Sequence, residues 1–190
     1  SIRNFCERIG VAKVPNTVDY ALLEHCLRED LNEHAQRAMA VLRPLKITFS
    51  NWDEGKVEEI ELENHPDHPE MGTRRLHFTK TCFIEQEDFM EEPPKKFFRL
   101  APGREARLKG AYIIRCDEVV KHEDGTIREL ICSYDPDSYT GGPTAGRKVK
   151  GTIHWVDAAT AADAEVRLYA SLFSDPDPDA GDKDFLECLN

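Results

Sequence analysis

Apolar residues recur with helical spacing at the start of the chain. They return every three to four positions over residues 2–9, which predicts a short amphipathic helix ended by Gly10. A second helix is predicted to begin at residue 16 or 17, to hold Asp19 in its first turn, and to end within residues 35–38. Its outer face is highly charged, as expected for a helix that packs along one side only.

Beyond residue 38 the apolar period changes to two, the period of β-strands. Alternating segments cover residues 41–49, 57–62, 76–83, 106–116, 148–156 and 164–173. The clearest pair, residues 118–121 and 126–132, flanks Asp124-Gly125, a dipeptide that favours the tight turn of a β-hairpin. The pattern predicts a mainly β fold, with a helical subdomain over residues 1–38 and antiparallel β-barrels over residues 39–190.

Composition excludes several classes of protein. The 190 residues are 40% hydrophobic and 32% charged, as in globular proteins with a charged surface. No apolar run approaches the roughly 18 residues needed to cross a bilayer, so a membrane protein is excluded. The six cysteines are scattered, without C-x-x-C pairs or zinc spacing, which fits a reducing, cytoplasmic location. The chain begins without an initiator Met and ends within an apolar pattern, so we expect a segment excised from a longer chain.

Two basic segments contrast with a formal net charge of -11. Residues 95–109 hold six cations and one carboxylate, a local charge of +5 that leaves the rest of the chain at -16. Such contrast concentrates an anion at one place, and the interleaved Phe97 and Phe98 are typical of single-stranded nucleic-acid sites. The alternative is that both rings are core and that the cations pair with nearby glutamates at positions 91, 92 and 105. Residues 146–156 form the second basic segment, with the pattern of a strand.

Catalytic and metal sites find little support in the sequence. The loop His65–Glu70 holds two histidines and two carboxylates, but its prolines and the lack of further ligands favour an exposed turn over a metal site. No phosphate-cradling glycine loop and no nucleophile motif is present. We therefore expect no catalytic residue, no metal and no cofactor in this segment.

Seven stretches occur in the order, and nearly the spacing, of a known family. They are residues 2–11, 28–33, 37–41, 64–66, 69–72, 146–156 and 167–169. Across its whole length, the chain resembles the middle-to-late part of glutaminyl-tRNA synthetases, a family of class I aminoacyl-tRNA synthetases. The resemblance implies a helical connector over residues 1–38 and most of an anticodon-binding domain over residues 39–190. Its two barrels would be of the ribosomal protein L25 type and truncated at the C-terminal end.

The resemblance also implies partners. The parent enzyme would attach glutamine to its tRNA with ATP and magnesium in a catalytic domain that is absent here, so this segment alone is expected to be inactive. The expected partner is the tRNA specific for glutamine, bound by a cytoplasmic monomer that binds neither DNA nor a membrane. In this family, residues 147–150 belong to the barrel framework, and their charges steer the tRNA.

Five residues match positions that contact the anticodon in the family. Arg37 matches an arginine at the middle uracil, Lys96 a neighbouring polar contact, and Arg107 an arginine near the first base. Arg99 matches the arginine that recognises the third base, a guanine, and its forked donors suit the O6 and N7 atoms of that base. Lys109 stands where bacterial members have arginine, which favours a phosphate contact over base recognition.

Two other functions remain open from the sequence. One is the anticodon-binding region of an archaeal or eukaryotic glutamyl-tRNA synthetase, which shares the barrels. The other is a β-barrel protein-interaction module, which the acidic net charge favours. Phe98 also departs from the family, which has a lysine there. The change removes one contact to the RNA backbone and adds a ring for stacking.

Overall fold

The structure is a computed structural model that describes residues 1–175 and 184–190. It divides into two compact units. The helical unit comprises residues 1–36 and 165–190, and the β unit comprises residues 37–164.

Two helices dominate the helical unit: α1 (Ile2–Ile9) and α2 (Tyr20–His34). Polar contacts join them, since Arg8 lies 2.7 Å from the carboxylate of Glu29, which also accepts from Asn4. The helix over residues 2–9 is confirmed. Helix α2 begins later than predicted, because Asp19 is its N-cap, with a carboxylate that accepts from the Ala21 amide. No helix in the described part of the chain is long and apolar enough to cross a membrane.

Nine strands build the β unit, and the mainly β fold class is confirmed. They are β1 (Pro44–Phe49), β2 (Glu58–Glu63), β3 (Thr73–Phe78), β4 (Thr81–Glu85), β5 (Glu105–Leu108), β6 (Ile113–Lys121), β7 (Ile127–Tyr134), β8 (Thr152–Ile153) and β9 (Val156–Asp157). Seven of them form one sheet in the order β8-β5-β6-β7-β1-β4-β9, and β2 pairs with β3. Most pairings are antiparallel, but β1 with β7 and β5 with β8 are parallel.

The hairpin centred on Asp124-Gly125 is confirmed. Strands β6 and β7 pair antiparallel on either side of the turn. Gly125 has a φ of 85°, a conformation that residues with a Cβ rarely adopt. The carboxylate of Asp124 accepts from the amide of Thr126, which closes the turn.

The two edges of the large sheet are joined by a very short connection. Strand β8 forms one edge and β9 the other, yet His154 and Trp155 alone separate them in the chain. Because three residue steps from Ile153 to Val156 span at most about 11 Å, the sheet must curl until its edges approach. Trp155 is buried at this junction, where its ring packs edge-on to Phe78 and its indole N–H donates to the Lys109 carbonyl.

Four predicted strand segments differ in the structure. Residues 76–83 belong to two strands, β3 and β4, separated by a turn at Thr79 whose amide is bound by the Asp157 carboxylate. Residues 106–116 are likewise divided between β5 and β6, because Gly110 turns the chain with a φ of 72°. Within 148–156 only β8 and the first residue of β9 are extended.

The strand predicted over residues 164–173 is wrong. In the described part of the chain, this segment makes one isolated bridge, between Phe173 and Leu189. Leu168 and Tyr169 are more than four-fifths exposed. An alternating pattern of apolar and polar residues shows which side chains would share a face of a strand. A strand forms, however, only where a neighbouring strand accepts and donates its backbone hydrogen bonds.

Candidate nucleic-acid interface

Backbone pairing brings Arg99 beside Asp88. Strand β4 runs into a 3-10 turn over Gln86–Asp88, and the following residues extend alongside the segment that contains Arg99. The Leu100 amide donates to the Asp88 carbonyl, and the Met90 amide donates to the Leu100 carbonyl. These two bonds fix the register in which the Arg99 and Asp88 side chains meet.

The Arg99 guanidinium is held at one end and half exposed. Its Nη1 lies 2.9 Å from Oδ1 of Asp88 and donates to the Glu87 carbonyl oxygen at 3.3 Å. The side chain is 50% exposed. An arginine has five N–H donors, so the donors on Nε and Nη2 remain for a ligand.

The carboxylate that holds Arg99 is itself buried. The Asp88 side chain is 7% exposed, and its Oδ2 atom is buried without a hydrogen-bond partner among the described residues. Burial raises the pKa of Asp88 above its ordinary value, although Arg99 and His154 act in the opposite direction.

The two basic segments meet in one cleft. Gly151 lies so close to Phe98 that a Cβ on the glycine would stand 1.9 Å from the Phe98 carbonyl oxygen. The Arg107 amide donates to the Gly151 carbonyl, which fixes this segment against β5. We name the result the basic cleft, which is lined by Lys95, Phe97, Phe98, Arg99, Arg104, Glu105, Lys148, Val149, Lys150 and Gly151.

An aromatic ring stands within the basic cleft. Phe98 is 48% exposed, whereas Phe97 is partly buried. The ammonium group of Lys150 lies 5.1 Å from the centre of the Phe98 ring, within the range of a cation–π contact. The idea that Phe98 is a core residue is therefore wrong.

Cations of the basic cleft and its flanks lack carboxylate partners. In the described part of the chain, no ion pair forms at Lys95, Lys96, Arg104, Lys109, Lys148 or Lys150, and all six are exposed. Two of the three glutamates proposed as their partners are engaged elsewhere, since Glu91 pairs with Lys121 and Glu105 with Arg147. Most other lysines and arginines of the β unit pair with carboxylates, as Lys80 does with Glu54 and Arg75 with Glu59.

Arg107 and Lys109 differ in their surroundings. Arg107 is partly buried, and its guanidinium donates to the carbonyl oxygens of Ser138 and Ala145 at 3.0 and 2.8 Å. Lys109 follows the end of β5 with an exposed side chain, while its backbone amide bonds to the Ile153 carbonyl. Arg107 therefore supports the loop beside the basic cleft, and Lys109 presents a free charge.

Arg37 contacts a different part of the β unit. Its amide donates to the Asn64 carbonyl, and its Nη2 lies 3.5 Å from Nε2 of the buried His65. In the same loop, His68 is paired with Glu70 at 2.7 Å. Among the described residues, no group of three or more histidine, cysteine or acidic side chains has the geometry of a metal site. Of the five predicted RNA-binding residues, Arg99 lines the basic cleft, Lys96, Arg107 and Lys109 flank it, and Arg37 is held by this other loop.

Comparison with known families decides what kind of domain carries this cleft. The family model described as tRNA synthetases class I (E and Q), anti-codon binding domain, matches residues 35–135. The chain belongs to this family. A second model with the same description matches residues 152–190.

Individual relatives of this anticodon-binding chain are similar over nearly its full length. The glutamine–tRNA ligase of Clostridium perfringens is 54% identical over 190 residues, covering 100% of this chain and 34% of the relative. That of Nitrobacter winogradskyi is 57% identical over 180 residues, covering 95% of this chain and 32% of the relative. The chain therefore spans about a third of the length of the curated relatives it matches.

Sequence reasoning missed two residues that hold parts of the cleft in place, Asp88 behind Arg99 and Gly151 against Phe98. Asp88 is one carboxylate among several in residues 85–92. The feature of the sequence that distinguishes it is the apolar Phe89 that follows, a residue that is buried in the structure. Gly151 lies between a lysine and a strand, where glycine often marks a close approach of two backbones. Neither signal identifies the partner, because Asp88 and Gly151 are brought to Arg99 and Phe98 by pairing between distant segments.

Proposed function

We propose that this chain supplies anticodon recognition to a glutamine–tRNA ligase. The observation that carries the proposal is the group of exposed cations without ion pairs that gathers around a half-exposed Phe98. Free cations attract phosphates because binding releases the counterions of the RNA. An exposed ring offers a stacking surface to an unpaired base, as proteins that bind single strands require.

The five predicted residues have separate proposed roles. Arg99 donates from Nε and Nη2 to O6 and N7 of the third anticodon base, a guanine, and Arg37 contacts the middle uracil. Lys96 makes a polar contact next to that of Arg37 with the middle uracil, and Lys109 contacts a phosphate. Arg107 acts near the first base with the donors that its carbonyl partners leave on Nε and Nη1.

The remaining features of the function extend beyond this chain. In the parent protein, a catalytic domain would join glutamine to the tRNA with ATP and magnesium. The chain would divide functionally near residue 38 into a connector and the anticodon-binding region. The parent would act as a monomer in the cytoplasm and bind neither DNA nor a membrane.

The test is equilibrium binding to anticodon hairpins that differ only at the third base. We expect the chain to prefer guanine there, and we expect Arg99→Ala to remove about 1–3 kcal/mol of that preference. Arg75→Ala is the matched control, because it also removes an exposed, ion-paired arginine and should leave the preference unchanged.

Two results would contradict the proposal in different ways. A preference for cytosine, the third anticodon base of glutamate tRNA, would favour the glutamyl-tRNA synthetase alternative. Absence of RNA binding at both 50 and 200 mM salt, roughly the range over which phosphate contacts change affinity most visibly, would favour the protein-interaction module.

A further inference from the structure

We propose that Asp88 is the positioning residue that orients Arg99 for guanine selection. The proposal rests on the function proposed above and adds a residue to it. Asp88 does not touch the RNA in this scheme, because its side chain is buried beneath the exposed guanidinium. It acts by holding one end of that guanidinium.

The geometry of the contact supports orientation. Both bonds that hold Arg99 start from Nη1, one to Oδ1 of Asp88 and one to the Glu87 carbonyl. Because the guanidinium is planar, fixing its Nη1 atom restricts the orientation of the opposite edge of the group. That edge, with Nε and Nη2, has the spacing that matches two neighbouring acceptors such as O6 and N7. An unheld arginine would need to lose side-chain entropy on binding, and the contact with Asp88 removes that cost beforehand.

The burial of Asp88 argues against a simple packing role. A buried carboxylate is costly unless it is paired and hydrogen-bonded, and Oδ2 of Asp88 has no partner among the described residues. The ion pair with Arg99 is therefore the main interaction that offsets this cost. An asparagine or an apolar side chain would fill the same space without a charge.

The ion pair also separates selectivity from affinity. Asp88 neutralises Arg99 at close range, so the pair adds little to the long-range attraction of phosphates. The exposed cations without partners, such as Lys148 and Lys150, supply that attraction. Removing both charges together, as in the double variant, should therefore leave the salt dependence of binding nearly unaltered.

Acidification offers an independent perturbation of the same contact. Arg99, His154, Glu85 and Glu87 are the charged or titratable groups that face Asp88. Because burial raises the pKa of Asp88, its carboxyl group takes up a proton at a higher pH than an ordinary aspartate. The neutral acid binds Arg99 more weakly.

The experiment measures the affinity ratio between hairpins with guanine and adenine at the third anticodon position. The proteins are the unmodified chain, Asp88→Asn, Arg99→Ala and the double variant. We expect Asp88→Asn to lower the ratio roughly 3- to 10-fold, since a charge-assisted bond is about twice as strong as a neutral one. Affinity for the adenine hairpin should not fall, because the variant leaves the charge of Arg99 in place. Asp88→Asn should have no further effect on the ratio in the Arg99→Ala background.

Glu91→Gln is the matched control. It removes the same charge three residues away, from an exposed side chain that pairs with Lys121 instead of Arg99. We expect its ratio to equal that of the unmodified chain. An equal loss for Glu91→Gln would mean that charge alone matters and would overturn the positioning role.

Three further outcomes would overturn the proposal. The first is a ratio unchanged by Asp88→Asn, the second is an equal loss of affinity for both hairpins, and the third is additive effects in the double variant. If Asp88→Asn fails to fold, the ratio is followed from pH 7 to pH 4 for the unmodified chain and for Arg99→Ala. A decline in the unmodified chain alone supports the proposal, and the same profile in both proteins overturns it. If the unmodified chain shows no preference for guanine, both this proposal and the proposed function are contradicted.

Discussion

A single methyl group at Gly151 should both destabilise the β unit and distort the basic cleft. In Gly151→Ala, the new Cβ would lie 1.9 Å from the Phe98 carbonyl oxygen and 2.9 Å from its carbonyl carbon. Because such atoms essentially never approach within 3.0 Å, the two backbones must separate by about 1 Å. The obstacle is backbone, so no side-chain rotation can relieve it.

The magnitude follows from the cost of overpacking. Inserting a methyl group into a closely packed site costs about 1–3 kcal/mol. For a chain of this length, each kcal/mol lowers the melting temperature by roughly 2–4 °C. The Arg107 amide is bonded to the Gly151 carbonyl at 2.8 Å, so part of the shift is transmitted to β5. We therefore expect weaker RNA binding as well, since Lys148 and Lys150 move away from Phe98.

Thermal and urea unfolding of Gly151→Ala measure this cost, and Gly146→Ala is the matched control. Gly146 is exposed, has ordinary backbone angles, and has open space where its Cβ would stand. Its substitution should be neutral or stabilise by about 0.4–1 kcal/mol through the unfolded chain. The reasoning is refuted if the two variants unfold alike, or if Gly151→Ala lowers stability by less than about 0.5 kcal/mol, the range of ordinary surface substitutions.

Two other outcomes follow from the charges of the β unit. Lys148→Ala should reduce the slope of log affinity against log salt by about 0.7, the value for one contact to a single strand. Lys80→Ala should leave the slope unchanged, because Lys80 is paired with Glu54. Equal slopes for the two variants would contradict this prediction. Bonds from Lys46 lower the pKa of the largely buried Glu129 below its ordinary value of 4.5. The stabilisation from Glu129 is therefore complete above that value and is lost as the pH falls through the lowered pKa. Urea unfolding from pH 7 to pH 3 should show a smaller acid-induced loss in Glu129→Gln than in the unmodified chain, and Glu54→Gln, at an exposed site, should behave like the unmodified chain.

Local chemistry in the sequence predicted what depends on near neighbours. The hairpin at Asp124-Gly125 follows from a turn that requires a glycine with positive φ. The helix over residues 2–9 follows from apolar spacing and the glycine after it. For the cations of residues 95–109, the structure contradicts the alternative of local ion pairs with glutamates, since several of these charges have no carboxylate partner among the described residues.

Pairing between distant segments could not be predicted from the same patterns. The parallel pairing of β1 with β7 joins residues more than eighty positions apart, and no local signal specifies it. Residues 146–156 looked like one strand, yet β8 and β9 lie at opposite edges of the sheet because Trp155 turns into the core between them. The same limitation hid Asp88, whose role depends on the register that places it beside Arg99.

The acidic net charge, which favoured a protein-interaction module, is compatible with RNA binding once the ion pairs are known. Most cations of the β unit outside the cleft are paired with carboxylates, whereas Lys95, Lys148 and Lys150 are not, so unpaired positive charge is concentrated at the cleft. At physiological salt, charges act over about 8 Å, so RNA in the cleft is attracted while RNA elsewhere is repelled. Repulsion at other surfaces costs little affinity at the cleft and suppresses wrong modes of binding. Under the proposed function, which requires one anticodon to be recognised among many similar tRNAs, that arrangement would increase selectivity.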